Sequence, residues 1–267
     1  EQMISFRNKN ILITGATGSV GSALVKKLLK SNCKVIRAFS NDENGLFDLS
    51  NVMNKKIKPS SSFTRKMQKI RLRLLHGDVR EYKRCLTATK NIDIVIHAAA
   101  MKHVAICEFN PTEANKTNVY GTQNMIRASK KNKVKKFLYI STDKVVDPKS
   151  TLGQTKLLAE KMVMRSNFLS DGKKTTFSSV RFGNILGSRG SVVPKFINQI
   201  KMGIPITVTD KKMTRFVMTT NNSVDLIIDA LAEMNGKEIF ILNSMGYFKI
   251  YDLAVALLKY FNVKKKI

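Results

Sequence analysis

The sequence predicts an α/β protein in which a Rossmann-like, doubly wound parallel sheet is followed by a smaller C-terminal α/β lobe. In the first half, short apolar runs alternate with amphipathic helical stretches, which is typical of a parallel sheet covered on both faces. A glycine-rich turn joins the first strand to the first helix, as in nucleotide-binding folds of this class. Because the rhythm changes after residue 182, we predict two domains, 1–182 and 183–267, the second incomplete at its C-terminus.

The elements follow from the period of the apolar residues. Strands of the first domain are predicted over 11–14, 34–39, 72–75, 93–97, 136–140 and 176–181. A helix is predicted over 19–30, and Pro111 favours the start of another that runs towards Lys131. In the second domain we predict helices over 192–203, 221–236 and 250–261, and strands over 204–210 and 238–242. The glycine-rich residues 183–191 are predicted to be a connection.

The composition is that of an ordinary soluble globular protein, since 43% of the 267 residues are hydrophobic and 25% are charged. No apolar run reaches the roughly 18 residues of a membrane span, and the first residues show no signal region. We therefore expect a cytoplasmic protein without a membrane span. Cys33, Cys85 and Cys107 are scattered, which argues against disulfides and against a metal site.

The formal net charge of +28 would suit nucleic acid, an anionic membrane surface or a phosphorylated small molecule as partner. Much of this charge is lysine spread along predicted helix faces, which is typical of solvated surface. The densest basic stretch, residues 54–73, has a Pro-Ser-Ser-Ser centre that predicts a loop. We therefore expect no nucleic-acid partner.

Gly15, Gly18 and Gly21 lie between a buried strand and an amphipathic helix. Glycine lets the backbone turn sharply and approach a pyrophosphate, and the helix start offers free N–H groups to the anion. The GxxGxxG spacing, in the order strand, turn, helix and strand, therefore predicts a dinucleotide site.

The end of the second predicted strand bears on which nicotinamide dinucleotide binds. Phe39 stands where enzymes that prefer NAD place a carboxylate for the ribose hydroxyls. Ser40 and Asn41 can donate hydrogen bonds to a 2′-phosphate, so we expect NADP. Asp42 lies close enough to keep NAD possible.

Several motifs fall at the carboxyl ends of predicted strands, where parallel sheets bind ligands. They are "TGATGSVG", "GDVR", "HAAAMKHV", "NVYGTQN", "STDKVVDP", "VRFGNILGSRGSVVPKF" and "ITVTDKKMTRFVMT". Together they resemble the polysaccharide-biosynthesis family of extended short-chain dehydrogenase/reductases, from about residue 9 to the last residues. The resemblance implies an NADP-dependent nucleotide-sugar 4,6-dehydratase, a hydro-lyase of the inverting type, which acts on UDP-N-acetylglucosamine in polysaccharide biosynthesis.

The same resemblance assigns binding residues. Cofactor contacts are implied for Gly15, Thr17, Gly18, Ser19, Val20, Gly21, Ser40, Asn41, Asp42, Asp78, Val79, Ala98, Ala99, Ala100, Lys102, Asn118, Ser141 and Lys156. Substrate contacts are implied for Lys102, His103, Asn184, Ser191, Val192, Lys195, Thr207 and Arg215. The guanidinium fork of Arg215 suits a diphosphate. A packed core imidazole is the rival interpretation of His103.

The implied reaction oxidises sugar C4, removes the C5 proton, expels water from C6 and returns the hydride to C6. The resemblance implies Lys144 as the C5 base and Asp143 as the acid for the C6 hydroxyl. Thr142 would orient the sugar, and Lys156 would contact the nicotinamide ribose. A lysine base has to be held partly neutral, by desolvation or by a nearby cation.

Leu152 departs from the usual pattern of short-chain dehydrogenases. They place a tyrosine four residues before the lysine that corresponds to Lys156, and this tyrosine accepts the proton of the oxidised hydroxyl. Without it, the proton would leave through Thr142, Asp143, Lys156 or a water.

Three alternative functions stay open on the sequence. They are a nucleotide-sugar 4-epimerase or reductase, a non-catalytic NADP-binding regulator that Leu152 would favour, and a nucleic-acid-associated protein suggested by charge alone. The resemblance also implies a homo-oligomer, a dimer or hexamer, assembled through helices 111–131 and 153–166.

Overall fold

The computed structural model describes residues 6–56, 71–168, 175–242 and 246–263. Its strands are β1 (Asn10–Thr14), β2 (Val35–Ser40), β3 (Leu72–His76), β4 (Ile94–His97), β5 (Lys136–Thr142), β6 (Thr176–Phe182), β7 (Asn184–Ile185), β8 (Thr214–Met218), β9 (Ile239–Ile241) and β10 (Gly246–Lys249). Seven of them form a parallel sheet in the order β3-β2-β1-β4-β5-β6-β9. The order reverses between β1 and β4, and sheets of this kind bind ligands at that point. The predicted α/β fold is confirmed.

Helices cover both faces of this sheet and complete the smaller lobe. They are Ser19–Leu28, Glu43–Lys56, Tyr82–Thr89, Val104–Phe109, Pro111–Asn115, Gly121–Lys131, Thr151–Arg165, Val192–Lys201, Thr220–Glu233 and Ile250–Tyr260. A π-helical turn, Lys116–Tyr120, joins two of them, and a 3₁₀ turn, Asp143–Val145, follows β5. The six strands predicted for the first domain form as β1 to β6, with every bound within two residues of its prediction.

Two apolar clusters lie on opposite faces of the large sheet. Successive residues of a strand point to opposite faces, so Ile11 and Ile13 enter one cluster and Leu12 enters the other. All three side chains are fully buried. Burial on both faces explains why β1 is apolar without interruption.

Part of the predicted second domain returns to the large sheet. β9 pairs in parallel with β6 at its edge. The helix Thr220–Glu233 packs into the same apolar cluster as the helix Ser19–Leu28. The predicted division at residue 182 therefore does not coincide with the division between the two sheets, because a pairing of strands so far apart in the chain leaves no local signal.

The smaller sheet has the order β10-β8-β7, with β8 antiparallel to β10 and parallel to β7. The predicted strand over 204–210 is wrong, since none of its residues is in a strand. A side chain takes the place of a partner strand: Gln199 Oε1 accepts the Thr207 backbone N–H at 3.4 Å, and Gln199 Nε2 donates to Thr207 Oγ1 at 3.0 Å.

None of the described helices is long and apolar enough to cross a bilayer. Over the same ranges, no group of three or more His, Cys, Asp or Glu side chains is arranged to hold a metal ion. Cys33, Cys85 and Cys107 are free, buried thiols. The basic stretch 54–73 lies mostly outside the described residues.

Candidate active site

A cavity of about 1060 Å³ lies at the carboxyl ends of the central strands and extends to the smaller sheet. The predicted binding and catalytic residues line it, with the exception of Asn118 and Asp143. One space therefore joins the glycine turn after β1 to the motif after β5 and to the loop after β7.

The glycine turn has the geometry of a phosphate cradle. Gly15 adopts a φ of +63°, which favours glycine, and a Cβ on Gly21 would overlap the Gly15 carbonyl oxygen. These two residues therefore set a tight turn and a close approach of the helix to it. Gly18 caps the helix Ser19–Leu28 without any side-chain hydrogen bond. The helix start thus keeps N–H donors for an anion.

Two buried hydroxyl groups on the cavity wall support the fit of a ligand here. Ser141 Oγ and Ser191 Oγ are buried and make no hydrogen bond within the described part of the chain. Buried polar atoms are rarely left unpaired, so their partners are to be sought in the cavity. The glycine turn, the free helix start and these hydroxyls together fit a dinucleotide, which would supply hydride chemistry.

The polar residues at the end of β2 and directly after it are already hydrogen-bonded. Ser40 Oγ lies 2.9 Å from Thr17 Oγ1 and accepts the Asp42 backbone N–H at 3.2 Å. Asn41 Nδ2 donates to Asp78 Oδ2 at 3.3 Å. The strand end is therefore a preorganised polar rim and not a set of free donors.

Asp78 is held by a neighbouring arginine. Its Oδ2 accepts hydrogen bonds from Arg80 Nε at 3.0 Å and Nη2 at 2.8 Å. Burial alone would raise the pKa of Asp78, but the hydrogen bonds and charge of Arg80 outweigh it and hold this pKa below its ordinary value. Glu113 accepts from the third nitrogen of the same guanidinium at 2.8 Å. The carboxylate of Asp78 is thus kept ionised at the cavity edge.

A chain of hydrogen bonds runs behind the β4 end. Ala99 N–H donates to Thr14 Oγ1 at 3.1 Å, and Thr14 Oγ1 lies 2.7 Å from His97 Nδ1. On the other side, His97 Nε2 lies 3.0 Å from Thr122 Oγ1, which donates its own proton to the Asn118 carbonyl oxygen at 2.6 Å. Because Thr122 donates its hydroxyl proton to the Asn118 carbonyl, its oxygen accepts a hydrogen bond from His97 Nε2. His97 is therefore the neutral Nε2–H tautomer.

Asn118 lies behind the cavity wall and not on it. It is fully buried in the π-helical turn Lys116–Tyr120. Its Oδ1 accepts the Met101 N–H at 2.9 Å, and its Nδ2 donates to the Met101 carbonyl at 3.2 Å and to Thr155 Oγ1 at 3.1 Å. It therefore shapes the loop after β4, and the implied cofactor contact from its side chain has no support in this geometry.

The motif after β5 forms a compact hydrogen-bonded group. Thr142 Oγ1 donates to Asp143 Oδ1 at 2.9 Å, and Lys144 Nζ donates to the same oxygen at 2.9 Å. Lys144 Nζ also donates to Asn184 Oδ1 at 2.8 Å. Thr142, Lys144 and Asn184 line the cavity, whereas Asp143 stands behind them. The carboxylate therefore communicates with the cavity through its two neighbours.

Lys156 lies deeper in the same cavity and is nearly fully buried. Its Nζ donates to the Ile140 carbonyl at 2.6 Å and stands 4.2 Å from the centre of the Tyr139 ring. Burial lowers the pKa of Lys156 to about 7, against a smaller opposing effect of Glu160. The ammonium group therefore loses its proton within the physiological pH range.

Leu152 lines the cavity at the position that short-chain dehydrogenases give to tyrosine. It is 4% exposed and packs with Cys107, Ala114 and Met101. The side chain is thus part of a small apolar cluster at the cavity wall and contributes no proton acceptor.

The substrate residues implied for the smaller lobe and the loop after β4 face the same space. His103 is exposed, so the alternative of a packed core imidazole is wrong. Its ring lies against Gly190, where any Cβ would overlap it. Lys102 Nζ donates to the Arg189 carbonyl at 2.6 Å. The other members on the wall are Asn184, Ser191, Val192, Lys195, Thr207 and Arg215.

Sequence reasoning missed two arginines at this site, Arg80 and Arg189. Arg80 lines the cavity, and Arg189 contacts Ser19, Asp42 and Lys102. Both lie inside the quoted motifs "GDVR" and "GSRGS", but only the fold shows which side chains they meet.

Comparison with known proteins agrees with this geometry. The family model described as polysaccharide biosynthesis protein matches residues 11–267. The chain belongs to the polysaccharide-biosynthesis family of extended short-chain dehydrogenase/reductases. This family includes nucleotide-sugar 4,6-dehydratases and 4-epimerases.

Three curated relatives illustrate the range of the family. A UDP-N-acetylglucosamine 4,6-dehydratase (inverting) of Campylobacter jejuni is 41% identical over 254 residues, 94% of this chain and 72% of the relative. A UDP-glucose 4-epimerase of Rickettsia bellii is 40% identical over 266 residues, 98% of this chain and 74% of the relative. An uncharacterized membrane protein of Methanocaldococcus jannaschii is 46% identical over 248 residues, 93% and 70% of the two chains.

Two solved structures share the fold of this family member. Pen from Bacillus thuringiensis matches with a TM-score of 0.89 at 40% identity, over 98% of this chain and 80% of that one. The dTDP-glucose 4,6-dehydratase of Streptomyces venezuelae, with NAD and TYD bound, matches with a TM-score of 0.83 at 20% identity. The match covers 97% of this chain and 84% of that one. The second similarity concerns the fold alone.

Proposed function

We propose that the protein is an NADP-dependent 4,6-dehydratase of UDP-N-acetylglucosamine that inverts C5, in the biosynthesis of surface polysaccharide or glycan. The observation that carries the proposal is one cavity that contains both the glycine cradle and the side chains of Thr142, Lys144 and Lys156. The dehydratase name of a 41% identical relative supports the choice of reaction and sugar.

The bound nicotinamide would accept a hydride from sugar C4 and return it to C6. Thr142 is our candidate for the proton of the C4 hydroxyl, because Leu152 cannot take it. The Thr142 hydroxyl donates to Asp143 Oδ1 and accepts the Lys144 backbone N–H at 3.4 Å, which leaves one lone pair for the cavity. The C4 hydroxyl proton passes to Thr142 Oγ1 as the proton of Thr142 passes to Asp143. Asp143 then holds the proton that the next step needs.

Lys144 is our candidate for the base at C5. The new C4 carbonyl makes the C5 proton acidic, and Lys144 Nζ accepts it. Asn184 Oδ1 and Asp143 Oδ1 fix the direction of the amine. Lys144 releases the C5 proton to solvent, and a solvent proton adds to C5 from the opposite face, which gives the inverted product.

Asp143 is our candidate for the source of the acid proton at C6. Because Asp143 stands behind Thr142, this proton reaches the C6 hydroxyl through Thr142 Oγ1. The proton gained from the C4 hydroxyl leaves with the C6 hydroxyl as water. The hydride returns to the sugar at C6 and this proton leaves in the water, so the sum of the steps is loss of one water. No further oxidant or reductant is consumed.

The remaining cavity residues suit a nucleotide diphosphate sugar. Lys102, Lys195 and Arg215 bring three positive charges to the wall. An arginine fork matches a diphosphate, and lysines add charge without fixed geometry. His103, Val192 and Thr207 would complete the pocket for sugar and base.

Two other functions remain as alternatives. The 4-epimerase name of a 40% identical relative favours a 4-epimerase, which needs no base at C5. Leu152 favours an NADP-binding regulator without turnover.

A homo-oligomer is also part of the proposal, because the helices beside Thr151–Arg165 expose Phe109 and Tyr120, and the helix Thr151–Arg165 itself exposes Leu158. If the protein is instead a monomer, light scattering of the purified chain would give the mass of one chain.

The test is incubation of the full chain with NADP and UDP-N-acetylglucosamine in D₂O, followed by NMR and mass spectrometry. The dehydratase gives a product that has lost one water and carries deuterium at C5, with NADP unchanged. Equal mass with altered C4 stereochemistry means an epimerase. Tight NADP binding without conversion means a regulator.

A lysine pair sharpens this test. Lys144→Ala is expected to slow C5 exchange by about 10²- to 10⁴-fold and to leave NADP affinity nearly unchanged. Lys149→Ala is the matched control, because Lys149 is exposed in the loop that follows. Exchange that persists in Lys144→Ala would show that the assigned base is wrong.

A further inference from the structure

Arg189 joins the loop after β7 to the cofactor side of the cavity. Its backbone N–H donates to Ser19 Oγ at 3.0 Å, at the start of the cradle helix. Its carbonyl oxygen accepts from Lys102 Nζ at 2.6 Å. The backbone of Arg189 is therefore held on both sides, and its side chain begins beside the cradle helix.

The guanidinium of Arg189 reaches the rim after β2. Its Nη1 lies 3.7 Å from Asp42 Oδ2. The other oxygen of Asp42 accepts the Gly45 backbone N–H at 2.8 Å, within the helix Glu43–Lys56. Both oxygens of Asp42 therefore have a partner, and the charge of this carboxylate is partly balanced by Arg189.

The side chains that sequence reasoning assigned to a 2′-phosphate are engaged as well. Ser40 Oγ accepts from the Asp42 N–H and lies against Thr17 Oγ1, and Asn41 donates to Asp78. Arg189 differs from them because 66% of its side chain is exposed and because a guanidinium has five N–H donors. A contact with Asp42 leaves donors for a second anion.

We propose that Arg189 binds the 2′-phosphate of NADP and thereby makes the chain prefer NADP to NAD. The inference rests on the proposed NADP-dependent function and adds the residue that determines the specificity. Arg189 comes from the loop after β7 and not from the β2 end, where such residues are usually sought. It neutralises Asp42 and offers a fork of donors to the phosphate.

The experiment is a set of equilibrium titrations of the full chain with NADP, NAD, 2′,5′-ADP and ADP, for the wild type and Arg189→Met. The variant is expected to bind NADP and 2′,5′-ADP about 10- to 100-fold more weakly, the effect of one charge-assisted contact. NAD and ADP affinities are expected to stay within about twofold, which also shows that the seat is intact.

Arg127→Met is the matched control, since it removes one positive charge from an exposed arginine beside Tyr82, outside the cavity wall. It is expected to leave all four affinities unchanged. The inference is overturned if Arg189→Met leaves NADP affinity intact or weakens NADP and NAD equally.

These titrations do not depend on turnover. If the chain converts no sugar but loses its NADP preference in Arg189→Met, the result would support this inference and contradict the proposed dehydratase function. A chain that dehydrates UDP-N-acetylglucosamine and keeps its NADP preference in Arg189→Met would overturn this inference alone.

Discussion

Asn184 Oδ1 accepts a hydrogen bond of 2.8 Å from Lys144 Nζ. Asn184 belongs to β7 of the smaller sheet, and Lys144 follows β5 of the large sheet. This contact therefore joins the two sheets at the proposed base. The amide directs the amine and adds no second carboxylate to that of Asp143, which already lies 2.9 Å from Lys144 Nζ.

Asn184→Asp should slow C5 exchange, because a second carboxylate beside Lys144, in addition to Asp143, favours the protonated amine. We expect a loss of about 10-fold at pH 7 that recovers as the pH is raised. The measurement is solvent deuterium exchange at C5 as a function of pH. Asn198→Asp, on the exposed face of the helix Val192–Lys201, is the control for the added charge. Identical pH profiles for wild type and Asn184→Asp would contradict the assignment of Lys144.

Gly21→Ala should weaken dinucleotide binding and the fold together. The added Cβ would overlap the Gly15 carbonyl oxygen, so the helix start has to move away from the turn. We expect a loss of about 1–3 kcal/mol in the free energy of unfolding, the usual effect of overpacking. NADP titration should show at least a 10-fold weaker complex, by displacement of the phosphate donors. Gly246→Ala, which meets open space, should change neither quantity.

His97 should make the protein less stable in mild acid. Burial first, and the charge of Lys156 second, lower the pKa of His97 to about 3 from an ordinary 6.5. Between these values the unfolded chain binds a proton that the folded chain does not, so the free energy of unfolding falls as the pH decreases from 6.5. The contribution of His97 to this slope approaches about 1.4 kcal/mol per pH unit.

Urea unfolding at pH 7, 6 and 5 measures that slope. His97→Gln removes the titrating ring, so its stability should fall less steeply with acid than that of the wild type. Equal slopes for the two proteins would mean that His97 is already protonated in the fold. Long-range ¹⁵N NMR on the wild type should show the Nε2–H tautomer.

Lys156 should make the protein more stable as the pH rises above neutral. Its pKa is about 7 in the fold and 10.5 ordinarily, so burial of the charged form costs stability fully below pH 7. As the pH rises from 7 to 10.5 the unfolded chain holds more protons, and stability should rise by up to about 1.4 kcal/mol per pH unit. Thermal unfolding of the wild type and Lys156→Met from pH 7 to 10 isolates this term. A constant difference between the two would count against a neutral buried amine.

The fold class and most of the large sheet could be predicted from the sequence because their signals are local. The apolar run of β1, the glycine spacing and the helical period of residues 19–30 are all read within a few residues. The strand over 204–210 failed for the same reason: its alternating pattern suits a strand, but a strand also needs a partner, and the Gln199 side chain takes the Thr207 N–H instead.

The sequence by itself determined the chemistry available at the site, since the cradle glycines, Asp143, Lys144, Lys156 and the missing tyrosine at Leu152 are all legible as residue types at fixed spacings. Tertiary structure alone decided which groups meet. It set Asn118 behind the wall, paired Asn184 with Lys144, and brought Arg189 to Asp42. These contacts join residues far apart in the chain, and such distances follow from strand order and packing and not from local sequence.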